Sequence, residues 1–461
     1  MTAITCTTAT HLRRLALLPK YDSRTPRYTS YPTAVQFTPE VDAEAYGAWL
    51  EALPLAEPVS IYAHIPFCAR LCWYCGCNTR VVRRGDSISD YVGLMREEIA
   101  LVENRLAGKA RVKSIHLGGG TPNMLGVDDL AVLFGALRHA FRVDLDAEVA
   151  AELDPAQLTP VWARAAAFHG LNRASLGVQD LSPDVQAAVN RHEPFEVVAR
   201  AAAVLRDAGI AAVNFDLMYG LPRQKTSDVV RTLDQILTLK PDRIALFGYA
   251  HVPWMKPHQK LIDDADLPGA AERLEQSQVA ADRLIAEGYV AVGMDHFARP
   301  DDPMAVALER HALRRNFQGY TTDAASTLLG FGVSAIGRLP QGYVQNQPLE
   351  LSWRNSIAAG KLATARGVAL TPDDRFRGEV IERLMCDLAV DLSAVAARHG
   401  RGLTELAGAL AGLAPMEGDG LVERDGARIR ITELGRPFIR SACACFDAHL
   451  DPSALRHSRV V

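Results

Sequence analysis

Cysteine is sparse outside one short stretch of this chain. Of eight cysteines in 461 residues, four lie between Cys68 and Cys77, while Cys6, Cys386, Cys443 and Cys445 are scattered. That distribution is unlike the framework of a disulfide-stapled secreted domain and points to reduced thiols. Long apolar runs are also missing. Stretches such as Leu15 to Leu18 or Ala201 to Leu205 fall far short of the about 20 residues that cross a bilayer, so no membrane span is expected. The opening MTAITCTTATHLRRLALLPK carries basic residues but no apolar core followed by a small-residue cleavage site. It is read as no export signal, and a cytoplasmic location follows. Excess positive charge is absent too: the net charge of −4 argues against a nucleic-acid footprint. No internal repeat or low-complexity tract stands out. What remains is the balance of a globular protein, 48% hydrophobic and 23% charged, long enough for two or three buried cores.

The chemistry concentrates in Ile61 to Thr79, IYAHIPFCARLCWYCGCNT. Cys68, Cys72 and Cys75 have C-x3-C-x2-C spacing, compact enough for one loop to wrap an inorganic core with three thiolates. A [4Fe–4S] cluster ordinarily takes four, so three suggest an iron held open for an outside ligand. A zinc knuckle with Cys77 as fourth ligand is the competing reading, and disulfides are a further one.

From Ser60 to about Pro300 short apolar runs alternate with longer amphipathic segments, the pattern of βα repeats around a parallel sheet. Strands are predicted at Ile61–His64, Ser114–Leu117, Val149–Glu152, Arg173–Leu176, Ala212–Leu217, Arg243–Phe247 and Val290–Gly293. Unusual residues follow six of them: the cysteine loop, GGGTP, LDP, GVQD, MYGLP and GYAHVP. Ligand sites of parallel α/β sheets lie at the carboxyl ends of strands, so six motifs in such places converge on one cavity. The expected organisation is an irregular N-terminal arm (1–55) carrying one short helix at Asp42–Leu53, a barrel (56–300), an elaboration closing its mouth (301–368) and a C-terminal domain (369–461). Helices followed by the hairpin GLVERDGARIRIT make the last domain winged-helix-like. Arg424, Arg428 and Arg430 alternate there with acids, which predicts a solvated face and a packing role rather than DNA binding.

These strings, with PRYTSYPT, YAHIPFC-x3-CWYCGCNT, LGGGTPN, ELDP, GMDHFARPDD, GFGVSAI, CACFDAHL and SRVV, span nearly the whole chain. The cysteine loop resembles that of radical S-adenosylmethionine (SAM) enzymes, and the fuller set resembles the oxygen-independent coproporphyrinogen III oxidase family, whose loop also carries the extra cysteine at Cys77. The resemblance implies an α/β fold, a partial (β/α)6 radical-SAM barrel with an N-terminal arm and a winged-helix-like C-terminal domain. It implies a [4Fe–4S] cluster on Cys68, Cys72 and Cys75, with the fourth iron taking the amino and carboxylate groups of one SAM, and a second SAM beside it. Tyr62, Gly119, Gly120, Thr121 and Glu152 match contacts to the first cofactor. Tyr74, Gln179, Arg191, Asp216, Ala250 and Ile336, with Gly120 and Thr121 shared, match contacts to the second. Each taken alone has an ordinary reading: a tight turn for the glycines, a helix-capping neighbour for Glu152, barrel packing or a surface ion pair for the rest.

The implied reaction turns two propionates of coproporphyrinogen III into vinyl groups, giving protoporphyrinogen IX for haem biosynthesis by 5′-deoxyadenosyl radical chemistry. A reducing donor such as flavodoxin or ferredoxin and a monomeric protein are expected. Arg24, Arg27, Arg299 and Arg315, the tyrosines Tyr28 and Tyr31 of the arm, and His64, His251 and His296 are candidates for substrate contacts. The alternative is a haem carrier of the same subfamily, which typically lacks the fourth cysteine, the PRYTSYP arm and the long C-terminal signature present here. A zinc-stabilised structural protein is a third reading.

Overall fold

The computed structural model describes residues 8–82, 86–451 and 459. Its frame is one twelve-stranded sheet. In chain order the strands are β1 (Val59–Ile65), β2 (Arg111–Gly119), β3 (Arg142–Leu153), β4 (Arg173–Gln179), β5 (Ala212–Tyr219), β6 (Arg243–Gly248), β7 (Val290–Val292), β8 (His296–Ala298), β9 (Thr327–Phe331), β10 (Ile336–Leu339), β11 (Gly342–Asn346) and β12 (Thr364–Ala369). Spatial order is β12-β11-β10-β9-β1-β2-β3-β4-β5-β6-β8-β7. The run from β9 through β6 is parallel, and antiparallel pairs flank it on both sides.

Parallel strands covered on both faces usually read as unbroken apolar runs. These alternate instead. Ile61, Ala63, Ile65, Ile115, Leu117, Val213, Phe215 and Leu217 face the surrounding helices and form the main core. Ser60, His116, Glu152, Ser175, Asp216 and Phe247 face inward, where they line a cavity with about 970 Å³ of space partly open to solvent. Register brings this polar set into rows: Tyr62 pairs with His116, Glu152 with Ser175, and Asp216 with Ala245.

The six expected βα strands are all present. The run at Val290–Val292 is not a further parallel neighbour, because it joins only through the antiparallel β8. Residues 301–368 do more than cover the mouth, since β9 adds a parallel strand beside β1 and β10 to β12 continue the sheet. The arm is not irregular: Thr8–Tyr21 is a helix, in addition to Ala43–Glu51. Leu18, Tyr21, Tyr28 and Tyr31 are buried in the C-terminal core with Phe376, Leu384 and Phe438. At about 1.5–3 kcal/mol for each large apolar side chain buried, those contacts dock the arm firmly.

The C-terminal domain has helices Pro372–Asp387, Leu392–His399 and Ala407–Gly418 and a three-stranded sheet in which Ala389–Asp391 joins the hairpin Val422–Asp425 and Arg428–Ile431. Arg424 pairs with Glu417, Arg428 with Asp391 and Arg430 with Glu423, so each wing arginine has an acid beside it. No helix among the described residues is long and apolar enough to cross a membrane. Cys6, and Ser458, Val460 and Val461 of the SRVV string, lie outside the described residues.

Candidate cluster and cofactor site

The loop from Cys68 to Asn78 has almost no regular structure, so its shape is imposed by neighbours. Trp73 N–H donates to the Val189 carbonyl at 3.0 Å and Asn190 Nδ2 to the Leu71 carbonyl at 2.8 Å. From the other side the short 3-10 turn Pro257–Leu261 reaches in: His258 Nε2 meets the Cys75 carbonyl at 2.7 Å and Gln259 Nε2 that of Tyr74 at 3.0 Å. Lys256 Nζ donates to the Cys77 carbonyl at 3.1 Å. The GGGT turn closes the third side, with Gly120 N–H on the Ile65 carbonyl at 2.8 Å and Thr121 N–H on that of Phe67 at 2.7 Å.

The glycines of that turn are needed where the protein approaches itself. Gly119 has φ +107°, and a Cβ there would lie 2.4 Å from the His64 ring. A Cβ on Gly120 would meet the Phe67 carbonyl oxygen at 2.7 Å. Any side chain would force the turn off the cysteine loop.

All seven described cysteines are free thiols. Cys68 accepts from Thr121 Oγ1 at 3.6 Å and Cys72 from Arg191 at 3.5 Å. Burial pushes the Cys68 thiol up to about 11, against the lowering effect of Thr121. The Cys77 thiol donates to Cys75, which holds Cys75 below the ordinary thiol range and pushes Cys77 up. Cys77 itself lies at the exposed rim of the loop. Among the described residues no three His, Cys, Asp or Glu side chains gather round one metal ion. The thiolates of a [4Fe–4S] cubane each bind a separate iron. Three thiols on one clamped loop fit the cluster.

The other sequence-derived residues are brought round the same rim by strand ends. Glu152, at the end of β3, accepts from Gly119 N–H at 3.1 Å and meets His116 Nε2 at 3.1 Å. Burial works to raise its pKa, but the His116 hydrogen bond and charge and the Gly119 amide outweigh it and leave the carboxyl below its ordinary range. Asp216 on β5 accepts from Ser175 Oγ at 2.9 Å, and burial with the nearby Glu152 charge pushes it up to about 6. Tyr62 stacks on His116 at 6.0 Å between ring centroids and its hydroxyl meets His64 Nδ1 at 3.0 Å. His64 Nε2 faces the Asn78 carbonyl at 2.8 Å, so the ring carries its proton there and accepts from Tyr62.

Gln179 has φ +69° and folds back over Gly177, where a Cβ would meet Gln179 Nε2 at 3.1 Å and Arg191 at 3.4 Å. Gly177 is thus the gap through which both side chains pass. Arg191 is buried, donates to the Gly177 carbonyl and pairs with Glu193 at 2.9 Å, yet its Nε has no hydrogen-bond partner. Tyr74 is packed with Trp73 against Tyr249 and Val189. The Ala250 carbonyl accepts from Gln259 Nε2 at 3.3 Å, and Ile336 opens β10 just past the carboxyl end of β9.

The candidate substrate contacts divide. Tyr28 is bonded to Asp447 at 3.1 Å and Tyr31 to the Ala448 amide at 2.9 Å, away from the rim. Arg299 is an exposed residue at the amino ends of the strands, its amide on the Asp242 carbonyl. Arg24 stacks over the exposed Trp254 at 4.8 Å. His64, His251 and His296 each have a ring nitrogen in a hydrogen bond. Arg315 lines a second cavity beside Asn316 and Phe317, and Arg27 donates to the Gly248 carbonyl at the end of β6. Sequence reading did not find Glu193, Arg70, Lys256, His258 or Gln259. The one signal was that Glu193 follows Arg191 by two residues.

The Radical SAM superfamily model matches residues 62–236 and the HemN C-terminal domain model residues 370–438. The oxygen-independent coproporphyrinogen III oxidase of Bradyrhizobium diazoefficiens is 49% identical over 440 residues, covering 95% of this chain and 98% of that protein. The oxidase of Salmonella typhimurium bearing the same name is 40% identical over 97% of this chain and 98% of its own length. The solved structure of coproporphyrinogen III oxidase (HemN) from Escherichia coli, described as a radical SAM enzyme, superposes with a TM-score of 0.89 at 39% identity, covering 95% of this chain and 99% of that one. On this collinear match through barrel, cysteine loop and C-terminal domain, the chain belongs to the oxygen-independent coproporphyrinogen III oxidase family of the radical SAM superfamily.

Proposed function

We propose that this protein carries out the oxygen-independent oxidative decarboxylation of coproporphyrinogen III to protoporphyrinogen IX. The observation that carries the reading is the clamped loop with three free thiols at the carboxyl ends of the strands, in a chain collinear with its oxidase relatives. When bound, the cluster and SAM supply a one-electron reductive cleavage that delivers a hydrogen-abstracting 5′-deoxyadenosyl radical.

In this reading Cys68, Cys72 and Cys75 hold the cluster and Cys77 does not. Gly119, Gly120 and Thr121 present backbone to the first SAM, beside Tyr62. Glu152, kept ionised by His116 and the Gly119 amide, accepts from its ribose hydroxyls. A second SAM is assigned to Tyr74, Gln179, Arg191, Asp216, Ala250 and Ile336. The unpartnered Nε of Arg191 suits a carboxylate, for which a guanidinium fork is the natural partner. For each reacting propionate a hydrogen atom leaves the β-carbon, the carboxylate departs as carbon dioxide and one electron passes to an acceptor, leaving a vinyl group.

The electron donor is taken to be a flavodoxin or ferredoxin, and the protein a cytoplasmic monomer. Residues 1–55 are assigned as a substrate cover, 56–300 and 301–368 as barrel and extension, and 369–461 as a packing domain. Anaerobic reconstitution with iron and sulfide, followed by coproporphyrinogen III, dithionite and SAM, is expected to yield protoporphyrinogen IX with two methionines per porphyrin. A well-formed cluster with stoichiometric haem binding and no turnover would move the reading to the haem carrier.

A further inference from the structure

Where β5 and β6 end, four arginines from distant parts of the chain meet. Arg27 of the arm donates to the Gly248 carbonyl at 2.5 Å. Arg273, on the helix Ala270–Ala286, donates to the Tyr249 carbonyl at 2.9 Å and lies over the Tyr219 ring at 5.8 Å. Arg315 donates to the Arg27 carbonyl at 3.2 Å and stacks on Tyr320 at 4.3 Å. Behind them Arg440, 4% exposed, donates to the Pro26 carbonyl at 3.0 Å and to that of Thr25.

This group is short of negative charge. Asp295 faces it, but its carboxylate is taken by His296 at 2.7 Å. Asp22, on the Arg273 side, is paired with Arg459 at 3.1 Å. Among the described residues none of Arg27, Arg273 and Arg315 forms an ion pair, and Arg273 Nε and Arg315 Nε and Nη1 are buried with no hydrogen-bond partner. Arg315 is 8% exposed. Buried guanidinium nitrogens without an acceptor, on groups without counter-charge, are costly, and an anion would supply both. The group stands at the same strand ends as the cysteine loop, and through Tyr320 and His296 it adjoins the cavity that Asp216 and Phe247 line.

We infer that Arg27, Arg273 and Arg315 bind propionate carboxylates of the porphyrinogen, Arg440 acting behind them to hold the arm segment that carries Arg27. The inference rests on the substrate reading above. Planar forks match carboxylates two bonds at a time, and stacking on Tyr219 and Tyr320 pre-orients two of them. Of the earlier candidates the group keeps Arg27 and Arg315 and adds Arg273, which no sequence motif marked.

The test uses the full-length protein with coproporphyrin III, the stable oxidised tetracarboxylate, as the probe in fluorescence titrations. Arg273→Gln and Arg315→Gln are each expected to raise its Kd, and the KM for coproporphyrinogen III, about tenfold, with Arg273→Lys recovering part of the loss. Iron content and substrate-free SAM cleavage by dithionite should stay within about twofold, which reports that the variants fold. The unmodified protein should bind the tetramethyl ester far more weakly than the acid, a comparison that needs no variant. Unchanged Kd and KM in both Gln variants, or equal affinity for ester and acid, would overturn the inference. An unmodified protein that tells acid from ester through these arginines yet forms no vinyl product would sink the catalytic reading and leave the anion site standing.

Discussion

Glu193 is the group on which the cluster loop turns, and replacing it with glutamine isolates its charge. The side chain is fully buried between two cations. Arg191, which reaches Cys72, lies 2.9 Å away, and Arg70, which sits within the cysteine loop, pairs with the other oxygen. Its position is fixed by Gln186, which accepts from the Glu193 amide at 3.0 Å and donates to the Glu193 carbonyl at 2.6 Å. Removing one partner of a buried ion pair costs about 3–5 kcal/mol, because the charge left behind stays desolvated. Here Asp154 stands 3.5 Å from Arg70 and the glutamine oxygen still accepts one bond, so the low end, about 3 kcal/mol, applies. Against a total stability of about 5–15 kcal/mol the fold survives. The loss falls on the loop, which is tied down by hydrogen bonds and by the packing of Trp73 and Tyr74. At 1.4 kcal/mol per decade, opening of the loop becomes about 100-fold more frequent. Hydrogen exchange of cluster-free protein reads this directly at Trp73 and Cys75, whose amides bond to the Val189 and Cys72 carbonyls. Faster exchange there, with the sheet amides of β1 unchanged, is the expected result. Exchange at both sites indistinguishable from the unmodified protein would refute the reasoning.

Gly119→Ala adds about 1–3 kcal/mol of backbone strain and about 1–3 kcal/mol of overpacking against His64. It should lower iron and sulfide incorporation severalfold, whereas Gly135→Ala, in a helix with open space at its Cβ, should leave incorporation intact and slightly raise stability. Cys77→Ser should retain full iron content, while Ala at Cys68, Cys72 or Cys75 abolishes it; iron loss in Cys77→Ser would restore the case for a fourth protein ligand. Glu98 is buried among the Gly332 amide, Asn346 and Trp353, and burial raises its carboxyl to about 7 from the ordinary 4.5. A raised folded pKa gives stability that is complete below 4.5 and lost as pH rises through about 7. Thermal melts across that window should show the decline, and Glu98→Gln should flatten it.

The strand ends were legible because each motif follows a run of apolar residues short enough to be a strand, and parallel topology then dictates where the motifs meet. The alternation inside those runs, as in Ser60, Tyr62 and His64 against Ile61, Ala63 and Ile65, also marks the polar inner face, a signal available in the sequence but weak over strands of this length. The arm helix Thr8–Tyr21 was not legible. It carries Pro19 near its end, and the surface that stabilises it lies some four hundred residues away, where Tyr21 meets Asp419 and packs against Phe438. Strands β9 to β12 were hidden for a related reason. They are short, interrupted by Gly330, Gly337 and Gly342, and exist because β1 offers an edge.

The same division explains why the thiols were visible and their supports were not. A cluster ligand is a chemical type at a spacing, and Cys68, Cys72 and Cys75 show that type at that spacing. A support is only a donor in the right place. Gln259, His258 and Lys256 hold the loop through its carbonyl oxygens, so any donor of suitable reach could serve and no residue pattern is imposed on them. The loop's own ladder is limited to the pairing of Phe67 and Cys68 with Arg80 and Val81 at its base, so beyond that base these contacts, with Asn190 and Glu193, hold its shape before any cluster is bound. Pre-organisation of the cysteine loop is therefore distributed over segments 119 to 185 residues distant in sequence, and substitutions there should weaken cluster assembly without touching a sulfur.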